Sequence, residues 1–340
     1  MAHDTDPAPR LLLDLMVGYR ATAVIYVAAR LGLADLLSSG PMSSDDLARR
    51  SETHEPSLRR LLRSLVTLGI CRQLGEREFG LTPMGAYLVE GAPQSVKPVA
   101  VLEGQLLWRG WGSLLDSIRT GKTGSELAGY DNSFQQLAEV DSVAHAFNEA
   151  MVAFTRLITP EVLAAYDFAD ISKLTDVGGG YGELLSAILR QHPGMRGAIF
   201  DLPHCADGAR RRLHEEGISD RCDFIAGNFF ESIPAGADAY ILKSIIHDWN
   251  DERSRTILSN CRRALNEKGK VLLVERIMPE ELKPTAEHRM ATLSDLNMLR
   301  GPGGCERTER EFRSLLRDSG FQLTRVLPAG SMHVIEAACA

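Results

Sequence analysis

No two of the six cysteines, at 71, 205, 222, 261, 305 and 339, form a C-x-x-C pair. The chain therefore signals neither a zinc site nor a disulfide framework, and a reducing cytoplasm fits. A basic excess is missing too: the net charge of -7 offers no general attraction for phosphate backbones or anionic lipid. The apolar stretch "LLLDLMVGYRATAVIYVAARLGLADLL" is interrupted by Asp14, Arg20, Arg30 and Asp35, which leaves no unbroken run for a bilayer span. No small-residue cleavage site follows a basic start, so no signal peptide is read. Internal repeats and low-complexity tracts are absent as well. What remains is a small-molecule partner, with neither nucleic acid nor membrane expected.

A chain of 340 residues is too long for one small core and suggests two domains. Residues 10 to about 90 read as short amphipathic helices and a hairpin. In "PSLRRLLRSLVTLGI", Leu58, Leu61, Leu62 and Leu65 recur at helical spacing while Arg59, Arg60 and Arg63 take the other side. Ser43 or Ser44 is placed as the N-cap of a shorter helix that comes before this longer one, and "ICRQLGEREFGLT" offers two strands about a glycine turn. The pattern is that of a winged helix. DNA binding does not follow, because residues 1–100 hold 11 Lys/Arg against 11 Asp/Glu and have no basic surplus to release counterions. Leu12, Leu13, Leu15, Met16, Val24, Ile25 and Val27 give the first helix more apolar surface than so small a module needs, which points to a partner subunit.

Residues 101–165 read as mostly helical. From Lys173 the pattern becomes strand, helix, strand, with "KLTDVGG", "GELLSAILRQHP", "GAIFDLP", "CDFIAGN", "DAYILKS" and "KVLLVERI" in succession. Such alternation predicts an α/β domain with a doubly wound parallel sheet over residues 166–340.

The first strand runs into "DVGGGYGE", where Gly178, Gly180 and Gly182 form G-x-G-x-G. Glycines there allow a tight turn and let a ligand lie against peptide N–H groups, although a turn of this kind also serves as a plain strand-to-helix connection. A dinucleotide fingerprint needs glycine where Glu183 stands, which disfavours NAD. Asp201 closes the second strand about 20 residues on, where a carboxylate in this fold accepts ribose hydroxyls. Asn228 and Phe229 close the third, one suited to hydrogen-bond an adenine and the other to pack on it. Three successive strand ends thus point at one nucleoside.

Taken in order, "DVGGGYG", "FDLPH", "GNFF", "KSIIHDWND" and "GGCERTEREF" resemble the motif series of the S-adenosylmethionine-dependent O-methyltransferases. These are similar to plant caffeate methyltransferases and to bacterial enzymes that tailor aromatic polyketides and other secondary metabolites. The likeness covers nearly the whole chain and implies a Rossmann-like methyltransferase domain behind an N-terminal winged-helix-like dimerisation domain, residues 1–100. It further implies a homodimer with interlocked N-terminal helices, and a connector at 101–165 that helps form the acceptor pocket.

Residue by residue, the resemblance implies that Gly178 and Gly180 line the methionyl end of S-adenosylmethionine and that Asp201, followed by Leu202, binds its ribose. Asn228 stands where relatives commonly carry Asp; an amide oxygen still accepts from the adenine amine. Phe229 takes the place of an apolar residue on the adenine, and Lys243 that of a lysine near the cofactor. His247 matches the general base that takes the acceptor's hydroxyl proton. Glu275 and Glu306 match the acids flanking it, and Asp248 an orienting neighbour; the other reading of each is a solvated strand-end charge or, for Glu306 just before a helix, a helix N-terminal carboxylate. A phenol with a pKa of about 10 needs a base to gain anionic character, and an imidazole of ordinary pKa about 6.5, raised by carboxylates, suits the task. Trp108, Met151, Phe154, Met290, Asn297 and Met298 form the pool of acceptor-pocket residues, although methionines at helical spacing also build cores. Asp295 is expected to hold its helix near the site. No metal is expected, since a Mg²⁺ site gathers several oxygen ligands. Two rival readings stand beside this one: a relative redirected to hydroxylation or decarboxylation, and a ligand-responsive winged-helix DNA-binding regulator.

Overall fold

The structure is a computed structural model that describes residues 7–130 and 141–340. Residues 131–140, part of the expected helical region 101–165, lie outside the described residues. The chain divides into two compact units, Met1–Arg109 and Gly110–Ala340.

In the N-terminal unit, Ser43 caps the helix Ser44–Arg50 by accepting from the Asp46 N–H, which settles the choice left between Ser43 and Ser44. The helix Glu55–Thr67 buries Leu58, Leu62 and Leu65, as the apolar spacing required. Strand β1 (Met42–Ser43) pairs antiparallel with β3 (Glu78–Leu81), and β3 pairs with β2 (Cys71–Gln73). Helices followed by this small sheet give the winged-helix arrangement. Three helices precede it, Ala8–Val17, Tyr19–Arg30 and the short Leu33–Leu37. Val24 and Ile25 pack on the unit's own core, whereas Leu11, Leu12, Leu13, Leu15, Met16, Tyr19 and Val27 are exposed. The surplus apolar surface is therefore real and concentrated before residue 20. By length and composition Ala8–Arg30 is apolar enough to cross a membrane, with Asp14 and Arg20 interrupting it.

The C-terminal unit is built on seven strands in the order β6-β5-β4-β7-β8-β10-β9. Their ranges are β4 Lys173–Val177, β5 Arg196–Asp201, β6 Cys222–Ala226, β7 Ala239–Lys243, β8 Lys270–Glu275, β9 Phe321–Ala329 and β10 Met332–Cys339. Strands β4 to β8 are parallel, and β10 runs antiparallel to β8 and β9. Central strands read "LTDV", "GAIF", "AYIL" and "VLLVE" because both faces are buried, one under the core around Leu174, Leu185, Ile199 and Val334, the other under that around Tyr240, Leu258, Leu273 and Phe312. The order reverses between β4 and β7. Beside the carboxyl ends of such strands lies the position where a doubly wound sheet opens a crevice for ligands.

The β9–β10 hairpin carries an ion cluster that makes the fold acid-sensitive. Glu336, buried, accepts from Tyr166 Oη at 2.6 Å, Thr324 Oγ1 at 2.7 Å and Arg325 Nη2 at 2.7 Å. Burial alone would raise its pKa, but Arg325, Tyr166, Thr324 and Lys270 outweigh it and bring the carboxyl down to about 2. A depressed carboxylate stabilises the fold above its unfolded value of 4.5, and this contribution fades as pH falls from there toward about 2. Glu336→Gln is expected to cost about 1.5–3 kcal/mol at neutral pH. Urea melts at neutral and acid pH should show the gap between the two proteins closing with acidity.

Candidate active site

Strand β4 ends at Val177, and the chain turns through Gly178, Gly180 and Gly182 with φ of 73°, 56° and 77°. A side chain at Gly178 would strike Ile245, and one at Gly182 would strike Ile199, so packing as well as backbone conformation demands glycine at both. Gly180 differs: a Cβ there would meet nothing within 4 Å. Its peptide faces open space, the kind of cradle in which a ligand lies against backbone. Asp201 at the end of β5 fastens this turn. Its Oδ2 accepts from the Gly180 N–H at 2.7 Å and its Oδ1 from the Leu202 N–H at 2.6 Å. The Cys205 thiol bonds to the same carboxylate, which still leaves acceptor capacity for a ligand hydroxyl. Burial raises the Asp201 pKa, against these two N–H groups.

Phe229 follows the end of β6, makes edge-on contacts with Phe230 (4.9 Å) and Trp249 (6.2 Å), and comes within 3.7 Å of where a Gly178 Cβ would be. Asn228 Oδ1 accepts from the Phe230 N–H at 3.0 Å and so shapes the turn that presents the ring. Glycine peptide, strand-end carboxylate and aromatic face suit a nucleoside-bearing cofactor.

The second half of the site grows from β7. After Lys243 the chain turns at Ser244, whose φ of 53° is rare for a residue with a side chain. It then forms the single turn Ile246–Asp248 that carries His247. Glu275, the last residue of β8, is 0% exposed and holds this turn: its Oε1 accepts from the N–H groups of Ile245 at 3.1 Å and Ile246 at 2.8 Å. His247 Nδ1 lies 3.2 Å from Glu306 Oε1 and 3.8 Å from Glu275 Oε2, while Nε2 lies 3.5 Å from Asp248 Oδ1. Burial disfavours the imidazolium, yet Glu275, Asp248 and Glu306 together overcome it and push the His247 pKa up to about 10. This exceeds the value expected for an ordinary imidazole by far. Burial also raises Glu275, and raises Asp248 to about 7. Glu306 moves down despite burial, because His247 and Ser294 bond to its charged form.

Three residues complete the support. Ser294 Oγ donates to Glu306 Oε1 at 2.6 Å, and the Glu306 N–H donates to Asp295 Oδ1 at 2.9 Å. Arg307, 2% exposed, donates to the carbonyls of Ile246 (3.0 Å) and Trp249 (2.7 Å) and to Asp251 Oδ1. Gly304 lets its loop press on the His247 turn, since a side chain there would overlap the His247 carbonyl.

An imidazole held between carboxylates beside a glycine turn is an arrangement that can serve group transfer, and the sequence matches are to a group-transfer family. Residues 111–322 match the model of the O-methyltransferase domain, and residues 13–91 that of the O-methyltransferase dimerisation domain. The chain belongs to the O-methyltransferase family. As such it is an enzyme, an S-adenosylmethionine-dependent O-methyltransferase. It is 41% identical over 332 residues to the phenazine O-methyltransferase PhzM of Lysobacter antibioticus, covering 97% of this chain and 96% of that one. It is 37% identical to a mitomycin biosynthesis 6-O-methyltransferase of Streptomyces lavendulae, covering 95% and 92%. Among solved structures, LaPhzM superposes with a TM-score of 0.94 at 40% identity, covering 98% of this chain and 100% of that one. The O-methyltransferase NcsB1 of neocarzinostatin biosynthesis, in complex with S-adenosylmethionine and 2-hydroxy-5-methyl naphthoic acid, gives 0.79 at 30% identity, covering 94% and 96%.

Within this O-methyltransferase the structure brings together His247, Asp248, Glu275 and Glu306 on one side, and Gly178, Gly180, Asp201, Leu202 and Phe229 on the other. Lys243 ends the strand between them, and burial lowers its pKa against the pull of Asp176 and Glu275. The acceptor pool is more dispersed. Met290, Asn297 and Met298 share the helix Ala286–Arg300 with Ser294 at i, i+4, i+7, i+8 spacing, hence one face. Met298 is 7% exposed and Met290 58%. Asn297 accepts from the Arg300 guanidinium. Met151 and Phe154 lie on the helix Asp141–Ala165, with Phe154 exposed. Trp108 belongs to the N-terminal unit, edge-on to Tyr19 at 5.4 Å. The sequence reading missed Ser294 and Arg307. "GGCERTE" hid Arg307 because a lone arginine beside a helix start reads as solvated; only its burial shows that it anchors the His247 turn.

Proposed function

We propose that this enzyme transfers the methyl group of S-adenosylmethionine to a hydroxyl of a small aromatic secondary metabolite, with His247 as the general base. The observation that carries the reading is the His247 ring, gripped at Nδ1 by Glu306 with Nε2 left to face Asp248. Similarity to enzymes named for phenazine, mitomycin and naphthoate acceptors supports an aromatic substrate. S-adenosylmethionine supplies an electrophilic methyl on a sulfonium and leaves as S-adenosylhomocysteine. Gly178 and Gly180 receive its methionyl end, Asp201 and Leu202 its ribose, Asn228 and Phe229 its adenine, and Lys243 lies alongside.

His247 draws the acceptor's proton. A phenol with a pKa of about 10 and an imidazole raised by its carboxylates to a similar value share a proton at little net cost. Glu306 and Glu275 stabilise the resulting imidazolium, Asp248 and Arg307 orient the ring's turn, Met151, Phe154, Met290 and Met298 supply apolar walls, and Asn297 a polar group among them. Alignment of oxygen, carbon and sulfur contributes a further ~7–11 kcal/mol through proximity. Mass spectrometry of products formed from S-adenosylmethionine and a panel of phenazines, naphthoates, flavonoids and catechols tests this: a product heavier by one methyl on oxygen is expected. Methyl transfer to none of them, or a hydroxylated or decarboxylated product, would overturn it.

The enzyme acts as a homodimer through its N-terminal helices, without nucleic acid or membrane, in the cytoplasm; the exposed leucines before residue 20 and the matched dimerisation domain support this. Replacing Leu12 and Leu15 together by Glu places charges in that surface and is expected to yield monomer or aggregate. Light scattering of both proteins decides, and a monomeric wild type at micromolar concentration would end the interlocked picture.

A further inference from the structure

Two of the three carboxylates beside His247 hold one oxygen in reserve. Glu275 Oε1 serves the N–H groups of Ile245 and Ile246, and Glu306 Oε1 serves His247 and Ser294. Glu275 Oε2 and Glu306 Oε2 are buried with no hydrogen-bond partner. A buried carboxylate oxygen with no donor can take a cation as a further partner beside the imidazolium.

The spacing identifies one. His247 Nδ1 is 3.2 Å from Glu306 Oε1, the oxygen that already serves it, and 3.8 Å from the unpartnered Glu275 Oε2, and one donor atom from each residue lies within 4.8 Å of the others. A tetrahedral zinc ion with bonds of about 2.0–2.2 Å holds its ligands roughly 3.4 Å apart, between the two separations. One imidazole with carboxylates is a donor set that suits zinc, whereas magnesium keeps its waters and prefers an octahedron of oxygens. Three protein ligands would leave a fourth position open. The His247 side chain retains 14% exposure, which gives an ion a way in.

We propose that His247, Glu275 and Glu306 form a zinc-binding site, and that the ion bound there inhibits methyl transfer. Zinc takes the Nδ1 lone pair and releases the proton shared there to solvent. The remaining ring proton is then fixed on Nε2. The nitrogen that must accept becomes a donor, and the base is lost while the nucleoside half of the site is untouched. The inhibitory part rests on His247 being the base; the binding part does not.

Metal-stripped full-length protein, dialysed against zinc chloride and analysed for metal, tests the binding without turnover. One ion per chain is expected, retained by Cys305→Ser and lost from His247→Gln and Glu306→Gln. Ser294→Ala, which removes only the support of Glu306, should weaken binding about 10- to 100-fold. Cobalt in place of zinc should give a visible spectrum without thiolate charge transfer, a readout on the wild type that does not depend on any variant folding. Zinc should lower turnover by about 10²-fold or more, the size of a lost base, with chelator restoring it. No ion held by the wild type at micromolar free zinc, a thiolate cobalt spectrum, or undiminished binding by folded His247→Gln and Glu306→Gln overturns the site. Bound zinc that leaves turnover intact removes the inhibitory role and tells against His247 as base, with the site itself standing.

Discussion

Replacing His247 by glutamine is expected to lower turnover by about 10²- to 10⁴-fold, the range of a lost general base, with little change in S-adenosylmethionine affinity. Glutamine keeps a side chain that can hydrogen-bond but has no nitrogen able to accept a proton at working pH. Cofactor affinity survives because the residues assigned to the nucleoside, Asp201, Asn228 and Phe229, belong to β5, β6 and the turns after them, not to the His247 turn. In the wild type, Glu275, Asp248 and Glu306 outweigh burial and bring the imidazole pKa up to about 10. A base raised in this way gains its free lone pair as pH rises, so kcat/KM should climb with pH toward that value. The variant's deficit should shrink with acceptors whose hydroxyl ionises in water without help. Single-turnover rates against phenols of graded acidity measure both effects. Wild-type rates from the variant on the least acidic phenol would return His247 to a structural role. Chelator should leave the metal-free wild type unaffected.

Asp201→Ala is expected to weaken S-adenosylmethionine binding by about 1.5–3 kcal/mol, roughly 10- to 150-fold. The expected loss has two sources. One is the proposed charge-assisted bonding to ribose; the other is the observed tether of Asp201 Oδ2 to the Gly180 N–H at 2.7 Å, which fixes the glycine turn. Asp201→Asn keeps one acceptor oxygen and should fall between wild type and alanine. Calorimetric titration with S-adenosylmethionine and S-adenosylhomocysteine should show the same loss for both, since the ribose is common to them. Undiminished affinity in a folded alanine variant would remove Asp201 from the cofactor site.

Glu306 shows how far the sequence reading reached. Its place in "GGCERT" identified it by resemblance, with a solvated carboxylate before a helix as the other possibility. The structure finds it 6% exposed and bonded to His247, with its own N–H fixed by Asp295. Its partner lies 59 residues away, and no spacing rule relates two loops so far apart. The N-terminal unit shows the reverse limit. Its helical apolar periodicity and hairpin were readable at once, because each is a local property, yet the same leucines that promise a subunit contact also satisfy the length and composition of a membrane span.

Periodicity, the glycine turn and the ordered motifs, all properties of near neighbours along the chain, determined the winged helix, the parallel sheet and the family. Tertiary structure alone decided the environment of each charge. It buried Arg307 beneath the His247 turn, placed Ser294 against Glu306, and gathered three carboxylates around one imidazole, pushing its pKa up to about 10. Such shifts depend on desolvation and on distances of a few ångströms between residues remote in sequence, and only the folded chain sets those.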